Sequence, residues 1–247
     1  VFHFNQNFTE YHKWLLNFTP NIRTMKNTLI LLPLLFCASI SCQNTNTQNA
    51  KQQAVINATP IEVSQENGIA KAYFASGCFW CAEAIYQSVK GVDEAISGYS
   101  GGHTENPTYK SSNTGMTGHA EAIEVIYNPK VVSFEDLVEV YFSTQDPTQI
   151  NGQGPDFGSQ YRSIIFYQNN EQKTIAEKKK EEWAKKLNTK IAAEIVPFQK
   201  FWIAEDYHQD FEKLNPNNSY IRNVSRKRLE MLNRSCPALI KRNESKD

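Results

Sequence analysis

The chain has 247 residues, equal numbers of basic and acidic side chains (26 of each), and an apolar fraction of 40%. That length and apolar fraction predict one or two domains with a buried core. The balanced charge argues against broad nucleic-acid binding, which needs clustered Lys and Arg. Five cysteines are too few for a disulfide-scaffolded fold, so each is considered individually.

Residues 1–42 predict an export signal that is not part of the fold. Met25 precedes a basic residue and an apolar run over 29–38, which is too short to span a bilayer. The small residues that end at Cys42 resemble a bacterial lipoprotein signal, although an ordinary cleaved signal with an incidental cysteine is the alternative. We expect 1–24 to lie upstream of the true start. We also expect a protein exported to the cell envelope or periplasm, with a lipid anchor at Cys42 as its only membrane contact.

The next segment, 43–67, is rich in Gln, Asn and Thr and has no sustained apolar periodicity. This composition predicts a flexible tether. The folded domain is then expected over 68–247.

Hydrophobic periodicity predicts an alternating order of strands and helices in that domain. Residues 120–128 alternate, so that Glu121 shares a strand face with apolar side chains, and Ser133 with Asp136 forms a capping-box pattern. The order β-α-β-β-α-β, followed by a further α-β, predicts an α/β protein with a ferredoxin-like sandwich and an irregular C-terminal segment. The elements are strand 71–76, helix 78–89, strand 92–99, strand 120–128, a helix from Ser133, strand 161–167, helix 170–188 and strand 191–196.

The sequence Cys78-Phe79-Trp80-Cys81 stands where a strand is followed by a helix. Free backbone N–H groups and the helix dipole stabilise a thiolate at such a position, and Cys81 is close enough to form a disulfide with Cys78. Two buried structural cysteines and a thioredoxin-like dithiol-disulfide oxidoreductase are the alternatives. Zinc is disfavoured because no second ligand pair has suitable spacing.

Six motifs follow one another along the chain: GCFW at 77–80, GYSGG at 98–102, NPTY at 106–109, TGHAE at 117–121, GSQYRS at 158–163 and AEDYHQ at 204–209. In this order they resemble the peptide methionine sulfoxide reductase A family over about residues 70–215. The resemblance implies reduction of methionine S-sulfoxide, with no metal and no bound cofactor. It also implies two protein partners, a substrate that contains methionine sulfoxide and a thioredoxin-like reductant.

The resemblance assigns roles to the reacting groups. Cys78 is the nucleophile that attacks the sulfoxide sulfur and becomes a sulfenic acid. Glu121 is the general acid, and its place on an apolar strand face independently predicts burial and a raised pKa. Relatives differ in the thiol that then forms the disulfide; here Cys81 is favoured over Cys236.

The remaining predicted residues bind the substrate. By resemblance, Phe79 and Trp80 hold the methyl group on the sulfur, since a methyl on polarised sulfur packs well on aromatic faces. Tyr109 and Tyr161 hydrogen-bond the sulfoxide oxygen, and Asp156 is a polar residue of the site. A dithiol exchanger would need neither Glu121 nor the tyrosines, and a lipid-anchored binding protein would need neither Cys78 nor Cys81.

Overall fold

A computed structural model describes residues 47–241, so the export signal and Cys42 lie outside the described residues. The strands are β1 (Ala70–Ser76), β2 (Val92–Ser100), β3 (Ala120–Tyr127), β4 (Gly152–Gln153), β5 (Asp156–Phe157), β6 (Ser163–Tyr167), β7 (Glu194–Pro197) and β8 (Phe201–Ile203). The helices are α1 (47–56), α2 (Phe79–Gln87), α3 (Tyr109–Ser112), α4 (Phe134–Ser143), α5 (Asn170–Leu187), α6 (Phe211–Leu214) and α7 (Arg226–Ser235).

The larger sheet has six strands in the order β7-β6-β1-β3-β2-β8. Its four central strands, β6-β1-β3-β2, are antiparallel to one another. Strand β7 adds to one edge in parallel, and β8 adds to the other edge antiparallel. Because the four central strands follow the β-α-β-β-α-β order with α2 and α4, the prediction of a ferredoxin-like α/β core is confirmed.

The side-chain alternation of β3 separates two apolar clusters. Ile123 and Val125 belong to the larger cluster, which also contains side chains of α2 and α4. Ala122 belongs to a smaller cluster on the opposite side of the sheet. Helix α4 begins with the predicted capping box, in which the Ser133 Oγ and a carboxylate oxygen of Asp136 each accept a backbone N–H at 3.0 Å.

The described part of the predicted tether differs from the expectation. Residues 47–56 form helix α1, and Nε2 of Gln52 donates to the carbonyl of Gly101 at 2.7 Å. Further along, the Ile61 N–H donates to the carbonyl of Phe198 at 2.8 Å. Long polar side chains and an extended backbone thus join this segment to the domain, although its composition carries no apolar periodicity.

The segment after β8 is more regular than predicted. It contains α6 and α7, and a π-helical turn at Ile221–Ser225 leads directly into α7. Leu232 and Arg228 of α7 are buried, so the helix packs into the domain. Within residues 47–241, no helix is long and apolar enough to cross a membrane.

Candidate active site

Cys78 lies at the junction between β1 and α2. Strand β1 ends at Ser76, Gly77 turns the chain with a φ of 76°, and Cys78 caps the helix that begins at Phe79. A Cβ built on Gly77 would lie 2.5 Å from the Cβ of Gln153, so the backbone conformation and the close approach both require glycine. The turn therefore places Cys78 at the first exposed backbone N–H groups of the helix.

A cavity of about 150 Å³ opens beside Cys78. This volume is below the roughly 300–1,000 Å³ of pockets for drug-sized ligands, so it suits one amino-acid side chain. Every predicted site residue except Cys81 lines it, together with one residue that the sequence did not predict, Tyr220. The lining consists of Cys78, Phe79, Trp80, Tyr109, Glu121, Asp156, Tyr161 and Tyr220.

Glu121 is the buried acid of this cavity, with 2% of its surface exposed. Its Oε2 accepts a hydrogen bond from the backbone N–H of Phe79 at 3.0 Å. Burial raises the pKa of Glu121 to about 8, and Asp156 and Cys81 add to the rise, while the Phe79 hydrogen bond opposes it. Neutral at pH 7, the carboxyl has a proton to donate. The prediction of a buried Glu121 with a raised pKa is confirmed.

The thiols of Cys78 and Cys81 are both buried, and each shifts the pKa of the other. Burial raises the pKa of Cys78, and the neighbouring Cys81 and Glu121 add to this effect. The hydrogen bond from Cys78 and the charge of Arg228 together lower the pKa of Cys81 to about 6. The helix-terminus argument predicted a stabilised thiolate at Cys78. The structure instead favours the negative charge on Cys81, because one backbone N–H does not offset the burial of Cys78.

Phe211 and His208 pack against the two aromatic side chains, Phe79 and Trp80, that line the cavity. The Trp80 ring stacks on Phe211 at a centroid distance of 3.7 Å, and its Nε1–H donates to Nδ1 of His208 at 3.1 Å. The His208 ring also lies 4.8 Å from the ring of the buried Phe79. These contacts fix the planes of the two aromatic side chains that face the cavity.

Two of the three cavity tyrosines, Tyr109 and Tyr161, lie in short helical turns between strands. The Tyr109 N–H donates to Oε1 of Glu205 at 3.0 Å, and the Tyr99 hydroxyl donates to Oε2 of the same carboxylate at 2.9 Å. Glu205 thus anchors the start of α3, which carries Tyr109. Tyr161 lies in the turn before β6, where its hydroxyl donates to Oδ1 of Asn113 at 3.5 Å.

Cys236 is separate from this group. It follows α7, is 6% exposed, and its Sγ lies 3.3 Å from Oγ of Ser143 at the end of α4. Burial raises the pKa of its thiol. The structure therefore brings Cys81 to Cys78 and leaves Cys236 elsewhere in the core. In the described range 47–241, no group of three or more His, Cys, Asp or Glu side chains is arranged to hold a metal ion.

Sequence reasoning missed Tyr220 and Arg228. The Tyr220 hydroxyl donates to Oδ2 of Asp156 and lies 3.8 Å from the sulfur of Cys81. Arg228 reaches the end of β1 from α7, and its Nη1 donates to the carbonyl of Ser76 at 2.8 Å. Both residues stand in a basic stretch with no motif around them, so no local pattern could have identified them.

Comparison with known proteins gives this arrangement a family. The model of peptide methionine sulfoxide reductase matches residues 70–238, a range that contains every residue of the cavity. The chain belongs to the peptide methionine sulfoxide reductase A family. The match favours sulfoxide reduction over the dithiol-exchange alternative, because it includes the acid and the tyrosines that an exchanger would not need.

Individual relatives agree with this assignment. Peptide methionine sulfoxide reductase MsrA of Pasteurella multocida is 51% identical over 150 residues, which cover 61% of this chain and 86% of that protein. MsrA 1 of Rhodopirellula baltica is 44% identical over 181 residues, which cover 73% of this chain and 94% of that protein.

Solved structures share the fold. Reduced Mxr1 from Saccharomyces cerevisiae matches with a TM-score of 0.59 and 35% identity, over 63% of this chain and 91% of that one. Methionine sulfoxide reductase A of Corynebacterium diphtheriae matches with a TM-score of 0.57 and 32% identity, over 66% of this chain and 85% of that one.

Proposed function

We propose that this enzyme reduces methionine S-sulfoxide in damaged proteins with Cys78 as nucleophile and Glu121 as general acid. The observation that carries the assignment is the shared cavity, in which a thiol, a neutral carboxyl and an aromatic wall face the same small volume. Phe79 and Trp80 receive the methyl group, because aromatic faces bind a methyl on polarised sulfur. Asp156 and the hydroxyls of Tyr109 and Tyr161 surround the sulfoxide oxygen.

The first step transfers oxygen from one sulfur to another. Glu121 gives its proton to the sulfoxide oxygen, which makes the attached sulfur electrophilic. The sulfur of Cys78 attacks, and the oxygen leaves with Cys78 as a sulfenic acid while methionine is released. Burial keeps Cys78 as a neutral thiol before the reaction. When Cys78 attacks, its proton passes to the neighbouring sulfur of Cys81.

The second step forms a disulfide between Cys78 and Cys81 and releases water. The interaction of the two buried thiols supports Cys81 in this role, and the packing of Cys236 against Ser143 disfavours the alternative. A thioredoxin-like dithiol then restores both thiols by exchange, since a disulfide must be reduced before the next turnover.

We also propose that the protein is exported and held to a membrane by a lipid on Cys42. The support is the basic start, the short apolar run and the cysteine that follows small residues in the sequence. Mass spectrometry of the protein from membrane fractions is expected to find an acylated N-terminal Cys42. In Cys42→Ala, the protein is expected in the soluble fraction; unchanged membrane association would contradict the anchor.

The reaction is tested with the two epimers of a methionine-sulfoxide peptide, each incubated separately with the protein and dithiothreitol. Mass spectrometry follows the loss of one oxygen. We expect loss from the S epimer only, and none with Cys78→Ser. Equal loss from both epimers would contradict the stereochemistry, and no loss from a folded sample would contradict the function.

A further inference from the structure

Cys81 lies among residues that the sulfoxide chemistry does not use. Its sulfur is fully buried and contacts side chains of the segment 220–228, which comprises a helical residue, the π-helical turn and the start of α7. Turns of π-helix are rare and occur often at functional sites. The segment therefore has a structural relationship to Cys81 that is independent of the six motifs.

Tyr220 connects Cys81 to the cavity. The Cys81 thiol donates to the Tyr220 hydroxyl at 3.8 Å, and that hydroxyl in turn donates to Oδ2 of Asp156. The Tyr220 ring meets Trp80 edge-on at a centroid distance of 6.1 Å. A continuous chain of two hydrogen bonds thus leads from the Cys81 sulfur to a carboxylate in the cavity wall.

Arg228 supplies a buried positive charge beside this chain. Its guanidinium is bound by three neutral acceptors, the carbonyl of Thr144 at 2.9 Å and the carbonyl and hydroxyl of Ser76 at 2.8 and 3.2 Å. Across residues 47–241 it forms no salt bridge within 4.0 Å. A buried charge without a paired ion is costly, so the negative forms of Cys81 and Asp156 are the groups that Arg228 stabilises.

We infer that the segment 220–228 is a second catalytic element, which acts on Cys81 when the disulfide forms: Tyr220 relays the Cys81 proton to Asp156, and Arg228 stabilises the resulting negative charge. The inference rests on the proposed roles of Cys78 and Cys81. Once Cys78 is a sulfenic acid, it no longer offers its thiol proton to Cys81. The contacts from the segment, which include a hydrogen bond from Ser225, then remain to lower the pKa of Cys81.

The step balances within the protein. The sulfur of Cys81 attacks the sulfur of Cys78, so that an S–S bond forms and the S–O bond of the sulfenic acid breaks. The Cys81 proton passes through Tyr220 to Asp156, and the departing hydroxide takes that proton from Asp156 and leaves as water, so that Asp156 is ionised again. Cys81 is oxidised, the Cys78 sulfur is reduced from the sulfenic level, and no further oxidant is required.

Tyr220→Phe tests the relay because it removes only the hydroxyl and keeps the ring against Trp80. The protein is mixed with excess S-sulfoxide peptide without reductant and quenched at intervals. Mass spectrometry then measures methionine release and the Cys78–Cys81 disulfide separately. We expect methionine release within about twofold of the wild-type rate and disulfide formation slowed at least about a hundredfold, the low end of proton-transfer contributions.

Two tyrosine variants provide matched controls. Tyr207→Phe alters an exposed hydroxyl beside the site and is expected to change neither rate. Tyr161→Phe alters the proposed oxygen-binding group and is expected to slow methionine release instead. If Tyr220→Phe leaves both rates unchanged, or slows both equally, the inference is overturned. Failure of the wild-type protein to release methionine would contradict the proposed function itself.

A second measurement addresses Arg228 without turnover. Ultraviolet titration of the thiolate in Cys78→Ser, with the Cys78→Ser/Cys81→Ser protein as baseline, isolates Cys81 from its Cys78 partner. We expect Arg228→Gln in this background to raise the apparent pKa of Cys81 by one unit or more in a protein that still unfolds cooperatively. An unchanged titration in a folded variant would overturn the electrostatic role.

Discussion

The backbone N–H of Phe79 donates a hydrogen bond to Oε2 of Glu121 across 42 residues of sequence. This bond joins the first turn of α2 to the start of β3, and so holds the acid next to the helix cap that carries Cys78. The nucleophile and the proton donor are therefore positioned by the two elements that form the centre of the sheet-and-helix core.

Glu121→Gln is expected to abolish most of the activity without unfolding the protein. The amide oxygen of glutamine can still accept the Phe79 N–H, but the side chain has no acidic proton. A general acid contributes roughly 10²–10⁴-fold, so methionine release in a single turnover should fall by at least about a hundredfold. A variant with normal thermal unfolding and activity within a few fold of the wild type would contradict the assignment.

The pH dependence of methionine release should report the same carboxyl. Because burial raises the pKa of Glu121 to about 8, the donor is protonated below that pH and ionised above it. At saturating sulfoxide the rate should therefore fall as pH increases through about 8. Glu121→Gln provides the control, because its residual rate should lack this decrease. A decrease that persists in the variant would assign the titration to another group.

If Cys81 is the thiol that forms the disulfide with Cys78, two serine variants should behave in opposite ways. Cys81→Ser is expected to release one methionine per protein and then stop, because Cys78 remains a sulfenic acid. Cys236→Ser should turn over normally with a thioredoxin-type reductant, since its sulfur packs against Ser143 outside the cavity. If Cys81→Ser turns over fully and Cys236→Ser stops after one turnover, Cys236 and not Cys81 forms the disulfide with Cys78.

The His208–Trp80 hydrogen bond predicts an effect on substrate binding. His208→Phe removes the acceptor at Nδ1 and leaves the indole N–H unpaired, at a cost of about 1–3 kcal/mol. We expect KM for the sulfoxide to rise about fivefold or more with a smaller change in kcat. His208→Asn, whose side-chain oxygen can take the place of Nδ1, should recover part of the loss. A purely structural role would instead lower the amount of folded enzyme and leave KM unchanged.

Glu83 predicts a pH dependence of stability. Burial raises the pKa of this carboxyl from 4.5 to about 7, although the N–H of Asp210 and the hydroxyl of Ser97 stabilise its charged form. Between these values the folded state binds more protons at Glu83 than the unfolded state does, so this carboxyl contributes about 3 kcal/mol to a loss of stability as pH rises. In Glu83→Gln the amide oxygen can accept the Asp210 N–H while the amide nitrogen donates to the Ser97 hydroxyl, so the variant should lose the contribution of Glu83 to the slope and keep that of Glu121. Urea denaturation at pH 5, 6, 7 and 8 measures the free energy of unfolding of the wild type and of Glu83→Gln. If this free energy changes with pH equally in both proteins, the prediction is contradicted.

Much of the fold could be predicted because its elements carry local patterns. The alternation in β3 and the capping box before α4 report burial and helix start directly, and β-α-β-β-α-β order leaves few arrangements of a four-stranded core. Helix α1 and its attachment could not be predicted, because bonds such as that between Gln52 and Gly101 join positions 49 residues apart. Single polar contacts of this kind leave no periodicity in the sequence.

All the predicted site residues except Cys81 could be placed in one cavity, because each of them belongs to a recognisable motif or the loop beside one. Tyr220 and Arg228 have no such context, and their proximity to Cys81 depends on how the C-terminal segment packs against α2. The raised pKa of Cys78 could not be predicted for a related reason. Helix position is visible in the sequence, whereas the full burial of the thiol and its partner Cys81 depends on the assembled core.

The most direct test follows the cysteines during one turnover. The protein reacts with one equivalent of S-sulfoxide peptide in the absence of reductant, is quenched with a thiol-blocking reagent, and is digested for mass mapping. The account predicts one methionine released and one disulfide, between Cys78 and Cys81, with Cys236 blocked as a free thiol. Methionine release without change at Cys78, or a disulfide that includes Cys236, would contradict it.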